Sequence, residues 1–150
     1  MIYKAITILE PWASLIACGA KRIETRSWPT KYRGPIAIHA GKRIIQESAF
    51  LIPIYSTLMA ADLDPNKASS LSPGKVIAIA ELEDCIEMTI ERIVAWKDIY
   101  GRNEIAFGHF KPGRYAWILS NVRRIEPIQA KGLQRIWNWE VNENELHFRG

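Results

Sequence analysis

The sequence is poor in cysteine and histidine and has no long apolar run. Its 150 residues include two cysteines and three histidines, too few for a disulfide framework, and none has the spacing of a zinc site. The longest apolar stretch, residues 49–61, is broken by Pro53 and falls short of the ~20 residues of a membrane span. Residues Met1 to Lys4 lack the charged and apolar order of a signal peptide. We therefore expect a cytoplasmic protein with no metal, cofactor or membrane partner.

The composition is that of a globular protein. Hydrophobic residues make up 48% and charged residues 24% of the chain, which excludes disordered and fibrous classes. A chain of this length has room for one domain with a sizeable core, and no linker leaves enough chain on both sides for two. We predict a single domain over residues 1–150.

Positive charge is concentrated in the first half of the chain. Residues 1–75 hold ten Lys and Arg against five Asp and Glu, whereas residues 76–150 hold ten against eleven. Between residues 21 and 43, seven basic residues accompany one acidic residue, Glu24. Such a basic patch is typical of a protein that binds a polyanion, but a solvated basic face without a partner has the same composition. Charge alone leaves both interpretations open.

Short strands and short helices alternate irregularly along the chain. Apolar patterning predicts strands over residues 2–9, 22–27, 35–40, 75–84 and 114–122. Pro11 predicts the start of a short helix that ends at Gly19, and further helices are predicted over 42–61, kinked at Pro53, and over 89–99. The connections differ too much in length for repeated βαβ units. This pattern favours an α+β fold, a small and mainly antiparallel β-barrel with peripheral helices.

Three stretches of the chain carry a recognisable pattern. Residues 11–16 lead into GAKRIETRSW, residues 19–28, which contains the motif G-x-K-x-x-E-x-R. The second stretch is GPIAIHAGK, residues 34–42, and the third is PGRYAW, residues 112–117, with 122–124 and 132–139. Together they resemble the ASCH domain, the homology domain of activating signal cointegrator proteins. The resemblance spans nearly the whole chain and is weakest over residues 43–72.

The resemblance implies a PUA-like β-barrel, a fold widely used for RNA recognition, with a cleft lined by the motif residues. ASCH domains are regarded as RNA- or nucleic-acid-binding modules. Some small relatives are amidohydrolases that act on acetylated cytidine, and others are associated with ribonuclease activity. Fold membership does not choose among these activities. The resemblance therefore implies a nucleic-acid-binding module, with a hydrolase acting on RNA or modified nucleosides as the alternative.

The motif places Lys21, Glu24 and Arg26 at one candidate site. On a strand, Glu24 and Arg26 share a face, and Lys21 lies at the mouth of the strand just beyond Gly19. A carboxylate beside a guanidinium orients it and leaves its other donors for a phosphate or a base edge. The alternative is an exposed ladder of ion pairs worth ~0–1 kcal/mol. The resemblance favours the site.

Glu81 is a candidate fourth member of this site. It follows a buried strand segment, where a carboxylate needs a partner or an elevated pKa. The family's amidohydrolases place a glutamate on an equivalent strand, so the resemblance implies Lys21, Glu24 and Glu81 as catalytic residues if the protein is an enzyme. The alternative is that the strand has emerged into solvent at this point. We predict that Glu81 converges with Lys21, Glu24 and Arg26 on one concave site.

One position departs from the enzymatic pattern. Those amidohydrolases carry a threonine three residues after the lysine, where this chain has Glu24. The strand pleat predicts that Thr25 points to the opposite face. Because a carboxylate does not replace an activated hydroxyl in acyl transfer, we expect a site that binds more readily than it catalyses.

Further candidate contacts to a nucleic acid lie in and after the basic loop. Trp28 and Tyr32 are positioned to stack on bases, and Lys42 lies at the predicted start of a helix, where backbone N–H groups favour anions. His39 either faces the cleft or is a satisfied or exposed histidine without a catalytic role, and the second interpretation is favoured because no Ser or Cys partner stands at a recognisable spacing. The expected partner is RNA, another single-stranded nucleic acid or a nucleotide. The predicted nucleic-acid-binding residues are Lys21, Glu24, Arg26, Trp28, Lys31, Tyr32, Arg33, His39 and Lys42.

Overall fold

The protein is described by a computed structural model over residues 1–67 and 70–149, so residues 68, 69 and 150 of the predicted domain lie outside the described residues. The strands are β1 (Ile2–Glu10), β2 (Ile23–Arg26), β3 (Gly34–Ile44), β4 (Lys75–Glu87), β5 (Tyr115–Gln129) and β6 (Ile136–Glu140). The helices are α1 (Trp12–Ala17), α2 (Gln46–Ala49), α3 (Ile54–Ala60), α4 (Ile90–Tyr100), α5 (Arg102–Ala106) and a 3-10 turn at Glu143–Glu145.

The strands form one mixed sheet in the order β2-β5-β4-β3-β1-β6. β1 runs parallel to β3, with Lys4 opposite Ile36, and the other neighbours are antiparallel. The predicted α+β class is therefore confirmed. Within the described residues β2 and β6 each pair with a single neighbour, so the sheet is not closed and the predicted barrel is not confirmed.

Helix α1 links β1 to β2 and sets the position of the motif. Its residues Leu15 and Ile16 are fully buried, as the helical spacing predicted. The backbone N–H groups of Ala20 and Lys21 both donate to the Leu15 carbonyl at 3.0 Å and close the helix. Gly19 has a φ of +85°, a conformation that glycine adopts without steric cost. This turn brings the chain into β2 directly after Lys21.

The predicted helix over residues 42–61 is wrong in its first part. Lys42 to Ile44 continue β3, because Ile44 pairs with Glu10 of the parallel strand β1. The helical part is divided into α2 and α3, and Pro53 stands immediately before α3, close to the predicted kink. The predicted helix over 89–99 is observed as α4, with the Thr89 side chain accepting from the Arg92 N–H at 3.1 Å. Helix α5 was not predicted. No helix in the described part of the chain is long and apolar enough to cross a membrane.

Candidate functional site

A cavity of about 520 Å³ opens beside β2. Its wall is formed by β1, α1, β2, the α2–α3 segment and the chain from Ala106 to His109. Lys21, Glu24, Arg26 and Trp28 line it, so four of the predicted site residues meet in one place. The volume lies within the range of about 300–1,000 Å³ that is typical of small-molecule sites.

Lys21 is a buried cation held by backbone carbonyls. Its side chain is 1% exposed, and Nζ donates to the Ile23 oxygen at 2.6 Å and the Phe107 oxygen at 3.1 Å. The Glu24 carboxylate lies 4.0 Å from Nζ. Burial lowers the pKa of Lys21, whereas the charges of Glu24 and Glu104 act in the opposite direction. Two donors of the amine are thus held by backbone carbonyls, and the Glu24 carboxylate lies at ion-pair distance.

Arg26 is oriented by Glu24 and by the backbone of β1. Its Nε donates to Glu24 Oε2 at 3.0 Å, and its Nη2 donates to the Thr7 carbonyl at 2.8 Å. The Arg26 side chain is 24% exposed and that of Glu24 is 9% exposed. The pair follows from the strand pleat, which puts residues two apart on the same face. Within the described residues the Nη1 group of Arg26 has no hydrogen-bond partner, so it remains available to a ligand.

Thr25 and Arg114 also line the cavity, although neither was predicted to belong to the site. Thr25 Oγ1 accepts from the His109 N–H at 3.1 Å. Arg114 donates from Nε to the His109 carbonyl at 3.0 Å and from Nη2 to the Thr25 carbonyl at 3.4 Å. The prediction that Thr25 turns away is wrong, because the cavity continues past β2 to the chain around His109. Arg114 lies within a quoted motif segment, but no local spacing marked it as a cavity residue.

A second buried carboxylate, Glu104, stands behind β2. It is 2% exposed and accepts from the backbone N–H groups of Arg22 at 2.8 Å and Ile23 at 3.2 Å. Burial raises the pKa of Glu104, and the Arg22 hydrogen bond and the Lys21 charge partly offset that effect. Glu104 therefore fixes the start of β2, where Lys21 enters the site. No motif marked it, since it lies in a segment to which the sequence assigned no element.

Glu81 does not reach this cavity, and the prediction that it converges with Lys21 is wrong. It lies half-buried on β4, opposite Pro35 of β3 and Ser120 of β5. Strand β5 stands between β4 and β2 in the sheet. Neighbouring strands are ~4.8 Å apart, so Glu81 is two strand spacings from the motif strand.

His39 is a core residue and does not line the cavity. It is 2% exposed, with Nδ1 3.0 Å from Thr7 Oγ1 and Nε2 2.8 Å from the Ala130 carbonyl. Thr7 Oγ1 also accepts from Trp137 Nε1 at 3.2 Å. Because both ring nitrogens have partners inside the protein, the interpretation of His39 as a residue that faces the cleft is wrong, and its interpretation as a histidine with satisfied hydrogen bonds fits the structure.

The cavity does not include the predicted contacts Lys31, Tyr32, Arg33 and Lys42, whereas Trp28 of the basic loop lines it. Lys31, Arg33 and Lys42 are exposed, and Arg33 Nη2 is 3.2 Å from Asp84 Oδ1. The Tyr32 hydroxyl donates to the Pro35 carbonyl at 2.6 Å, and burial together with the Glu81 charge raises the pKa of Tyr32. Lys42 stands on β3, so the predicted anion site at a helix start is wrong. None of these residues therefore belongs to the site around Lys21.

The sequence around the cavity matches a known protein-family model. The family model for the ASCH domain matches residues 6–129, which include every residue named as lining the cavity. The chain belongs to the ASCH domain family. The family predicted from the motif is therefore confirmed.

Curated relatives of this ASCH domain are much longer proteins. Activating signal cointegrator 1 of Homo sapiens is 38% identical over 84 residues, which are 54% of this chain and 14% of that protein. The Mus musculus protein of the same name is 39% identical over 84 residues, with the same two coverages. The matched segment thus spans 14% of the length of these relatives.

A solved ASCH structure supports the fold of the whole domain. The crystal structure of ASCH from Zymomonas mobilis superimposes with a TM-score of 0.54 and covers 95% of this chain and 90% of that chain. The two sequences are 15% identical, so this likeness concerns the fold and carries no argument about the chemistry of the cavity.

Proposed function

We propose that this ASCH domain binds RNA or another single-stranded nucleic acid, with one nucleotide entering the cavity beside Arg26. The observation that carries the proposal is the orientation of the Arg26 guanidinium by Glu24 Oε2 at 3.0 Å and the Thr7 carbonyl at 2.8 Å. A guanidinium held in this way needs little reordering when it binds a phosphate or a base edge. The paired carboxylate offers an acceptor to the exocyclic amine of a base.

The charge and the aromatic content of the cavity support the same ligand. Its lining includes the cations Lys21, Arg26 and Arg114 against the single carboxylate of Glu24. Trp28 also lines it, and base stacking on an aromatic ring contributes ~1–3 kcal/mol in single-strand binders. Lys21 Nζ already donates to two backbone carbonyls, so Lys21 contributes charge to the cavity. Arg26 and Arg114 provide the direct contacts with the nucleotide.

The proposal is tested by the salt dependence of RNA affinity. Each phosphate contact with single-stranded RNA contributes a slope of about −0.7 to log K against log salt. Arg114→Gln removes one guanidinium of the cavity, and we expect the slope to become shallower by about 0.7. Lys42→Gln is the matched control, because Lys42 is exposed and outside the cavity. An affinity that is absent, or that does not depend on salt, would contradict the proposal.

A hydrolase acting on modified nucleosides is the second candidate, and one observation favours it. Thr25 and Lys21 line the same cavity on either side of Gly108, where an added Cβ would be 3.0 Å from Thr25 Cγ2 and 3.3 Å from Lys21 Nζ. A hydroxyl and an amine whose pKa is lowered by burial are the groups that nucleophilic catalysis requires. Two observations favour binding: Lys21 is occupied by two carbonyls, and Glu81 lies outside the cavity.

Hydrolysis of acetylcytidine separates the two candidates. We expect no robust turnover by the natural sequence, and turnover by Glu24→Thr if the missing hydroxyl is what limits the chemistry. Robust turnover by the natural sequence that is lost in Thr25→Val would overturn the binding proposal and assign Thr25 as the nucleophile. Thr25→Ser is the control variant, because it keeps the hydroxyl.

A further inference from the structure

An arginine from a distant part of the sequence lies over the ring of Trp28. The Arg135 guanidinium carbon lies 4.6 Å from the centroid of the Trp28 ring, a cation–π contact. Trp28 lines the cavity, whereas Arg135 does not. The pair therefore marks where the surface continues out of the cavity across the Trp28 ring.

Trp28 is a rigid platform for this contact. The buried Trp117 packs against it in a T-shaped arrangement, with ring centroids 4.8 Å apart and an interplanar angle of 87°. The Trp117 indole nitrogen also donates to the Trp28 carbonyl at 3.3 Å. A core residue thus fixes both the ring and the backbone of Trp28. When a group stacks on this ring, little conformational entropy of the protein is lost.

The guanidinium of Arg135 is available to a ligand. The residue is exposed, and within residues 1–67 and 70–149 its side chain makes no hydrogen bond or ion pair. The guanidinium carbon lies over the Trp28 ring, and the exposure of Arg135 leaves the rest of the group open to a ligand. Guanidinium planes stack on bases in RNA complexes, and their N–H edges bind phosphate oxygens.

The loop that carries Arg135 packs against Thr7, the residue whose carbonyl orients Arg26. The Ala130 carbonyl lies 2.8 Å from His39 Nε2, and Gly132 packs so closely that an added Cβ would be 2.6 Å from Thr7 Oγ1. The carbonyl of Thr7 in turn accepts from Arg26 at 2.8 Å. The backbone φ of Arg135 is +58°, a value that residues other than glycine rarely adopt. This loop is therefore a fixed second wall beside the cavity.

We propose that Arg135 and Trp28 form a second nucleotide subsite next to the cavity, which makes the ligand a single strand with at least two adjacent unpaired nucleotides. This inference rests on the proposed nucleic-acid binding at the cavity. One base enters the cavity, the next base stacks on the outward face of the Arg135 guanidinium, and the N–H edge of that group binds the phosphate between them. A duplex does not satisfy both contacts, because its adjacent bases are stacked on each other.

Affinity measured with two kinds of probe tests the subsite: a six-nucleotide RNA of mixed sequence and the four ribonucleoside monophosphates. We expect Arg135→Ala to weaken binding of the hexanucleotide about tenfold, as for loss of one stacked base. Its salt slope should become shallower by about 0.7. The affinity for monophosphates should change less than twofold, because these occupy the cavity alone. Arg135→Lys should keep the salt slope and lose most of the affinity, because an ammonium has charge but no flat face.

A matched control is available on another surface. Arg123 lies over the Phe148 ring at 4.0 Å; both residues are exposed and neither lines the cavity. Arg123→Ala therefore removes the same charge and the same kind of contact, and we expect hexanucleotide affinity to stay within twofold. Thermal unfolding of each variant checks that it is folded.

The outcomes distinguish this inference from the proposed function. If the natural protein binds the hexanucleotide and Arg135→Ala binds with the same affinity and slope, the subsite is wrong and the cavity proposal stands. If Arg135→Ala weakens the monophosphates as much as the hexanucleotide, Arg135 acts on the cavity nucleotide and the second subsite is wrong. If the natural protein binds neither probe, the proposed function itself fails.

Discussion

Arg26→Ala tests how the cavity is held together. The change removes the hydrogen bonds from Arg26 to Glu24 Oε2 at 3.0 Å and to the Thr7 carbonyl at 2.8 Å. The Glu24 side chain, which is 9% exposed, then has the Lys21 amine as its remaining cationic neighbour, 4.0 Å from Oε1. Glu24 then keeps its desolvation cost but loses its closest cationic partner.

The expected loss of stability lies between the values for a buried and for an exposed ion pair. Removing one partner of a fully buried ion pair costs about 3–5 kcal/mol, and losing an exposed pair costs about 0–1 kcal/mol. Since the Arg26 side chain is 24% exposed, we expect Arg26→Ala to lower the free energy of unfolding by about 2–3 kcal/mol. In the double variant with Glu24→Gln neither member of the Arg26–Glu24 pair is left without the other, and the loss of the Lys21–Glu24 contact is already part of the Glu24→Gln cost. The total cost should therefore be about 1 kcal/mol below the sum of the single variants.

Urea unfolding at pH 7 of the natural protein, both single variants and the double variant measures these differences. The reasoning is refuted if Arg26→Ala costs less than about 1 kcal/mol, the value for an exposed pair. Strict additivity of the two single changes would equally show that the two groups are not coupled. Arg92→Ala is the control, since its side chain is exposed and lies outside the cavity.

Three further variants probe the surroundings of the site. Gly108→Ala places a methyl group 3.0 Å from Thr25 Cγ2 and 3.3 Å from Lys21 Nζ, so urea unfolding should show a loss of about 1–3 kcal/mol and RNA binding should weaken; unchanged stability would contradict the close packing. His39→Leu removes the side-chain partner of the Ala130 carbonyl and one of the two partners of Thr7 Oγ1 and should cost about 1–3 kcal/mol, whereas a cost below about 0.5 kcal/mol would refute its structural role. Burial raises the pKa of Glu104, so the folded state holds a proton that the unfolded state releases, and this contribution to stability is lost as pH rises through the folded pKa. The difference in free energy of unfolding between the natural protein and Glu104→Gln should therefore shrink from pH 4 to pH 8, and growth of that difference would overturn the assignment.

The local part of the site follows from the sequence, because it depends on neighbouring residues. Gly19 predicts the turn after α1, and the pleat of a short strand puts Glu24 and Arg26 on one face. The same pleat led to the prediction that Thr25 lies outside the site, but the cavity extends past β2 to the chain around His109 and includes Thr25. That extension depends on a segment more than eighty residues away.

The misplaced residues depend on the order of strands, which local patterns do not encode. Glu81 is excluded from the site because β5 lies between β4 and β2. Lys42 stands on a strand because Ile44 pairs with Glu10, and this pairing overrides the local helical pattern. Arg135 reaches Trp28 through a loop that is anchored at His39. Contacts between distant segments require the fold itself.

Tryptophan indole resonances test the nucleotide-binding proposal most directly. The chain has six tryptophans; Trp12 and Trp28 line the cavity, whereas Trp96 and Trp139 belong to core clusters away from it. Proton–nitrogen NMR spectra recorded during titration with a six-nucleotide single-stranded RNA report each indole N–H separately. We expect the Trp28 and Trp12 resonances to move with the titration and those of Trp96 and Trp139 to keep their positions. Shifts confined to Trp96 or Trp139, or no shift at saturating RNA, would contradict binding at this cavity.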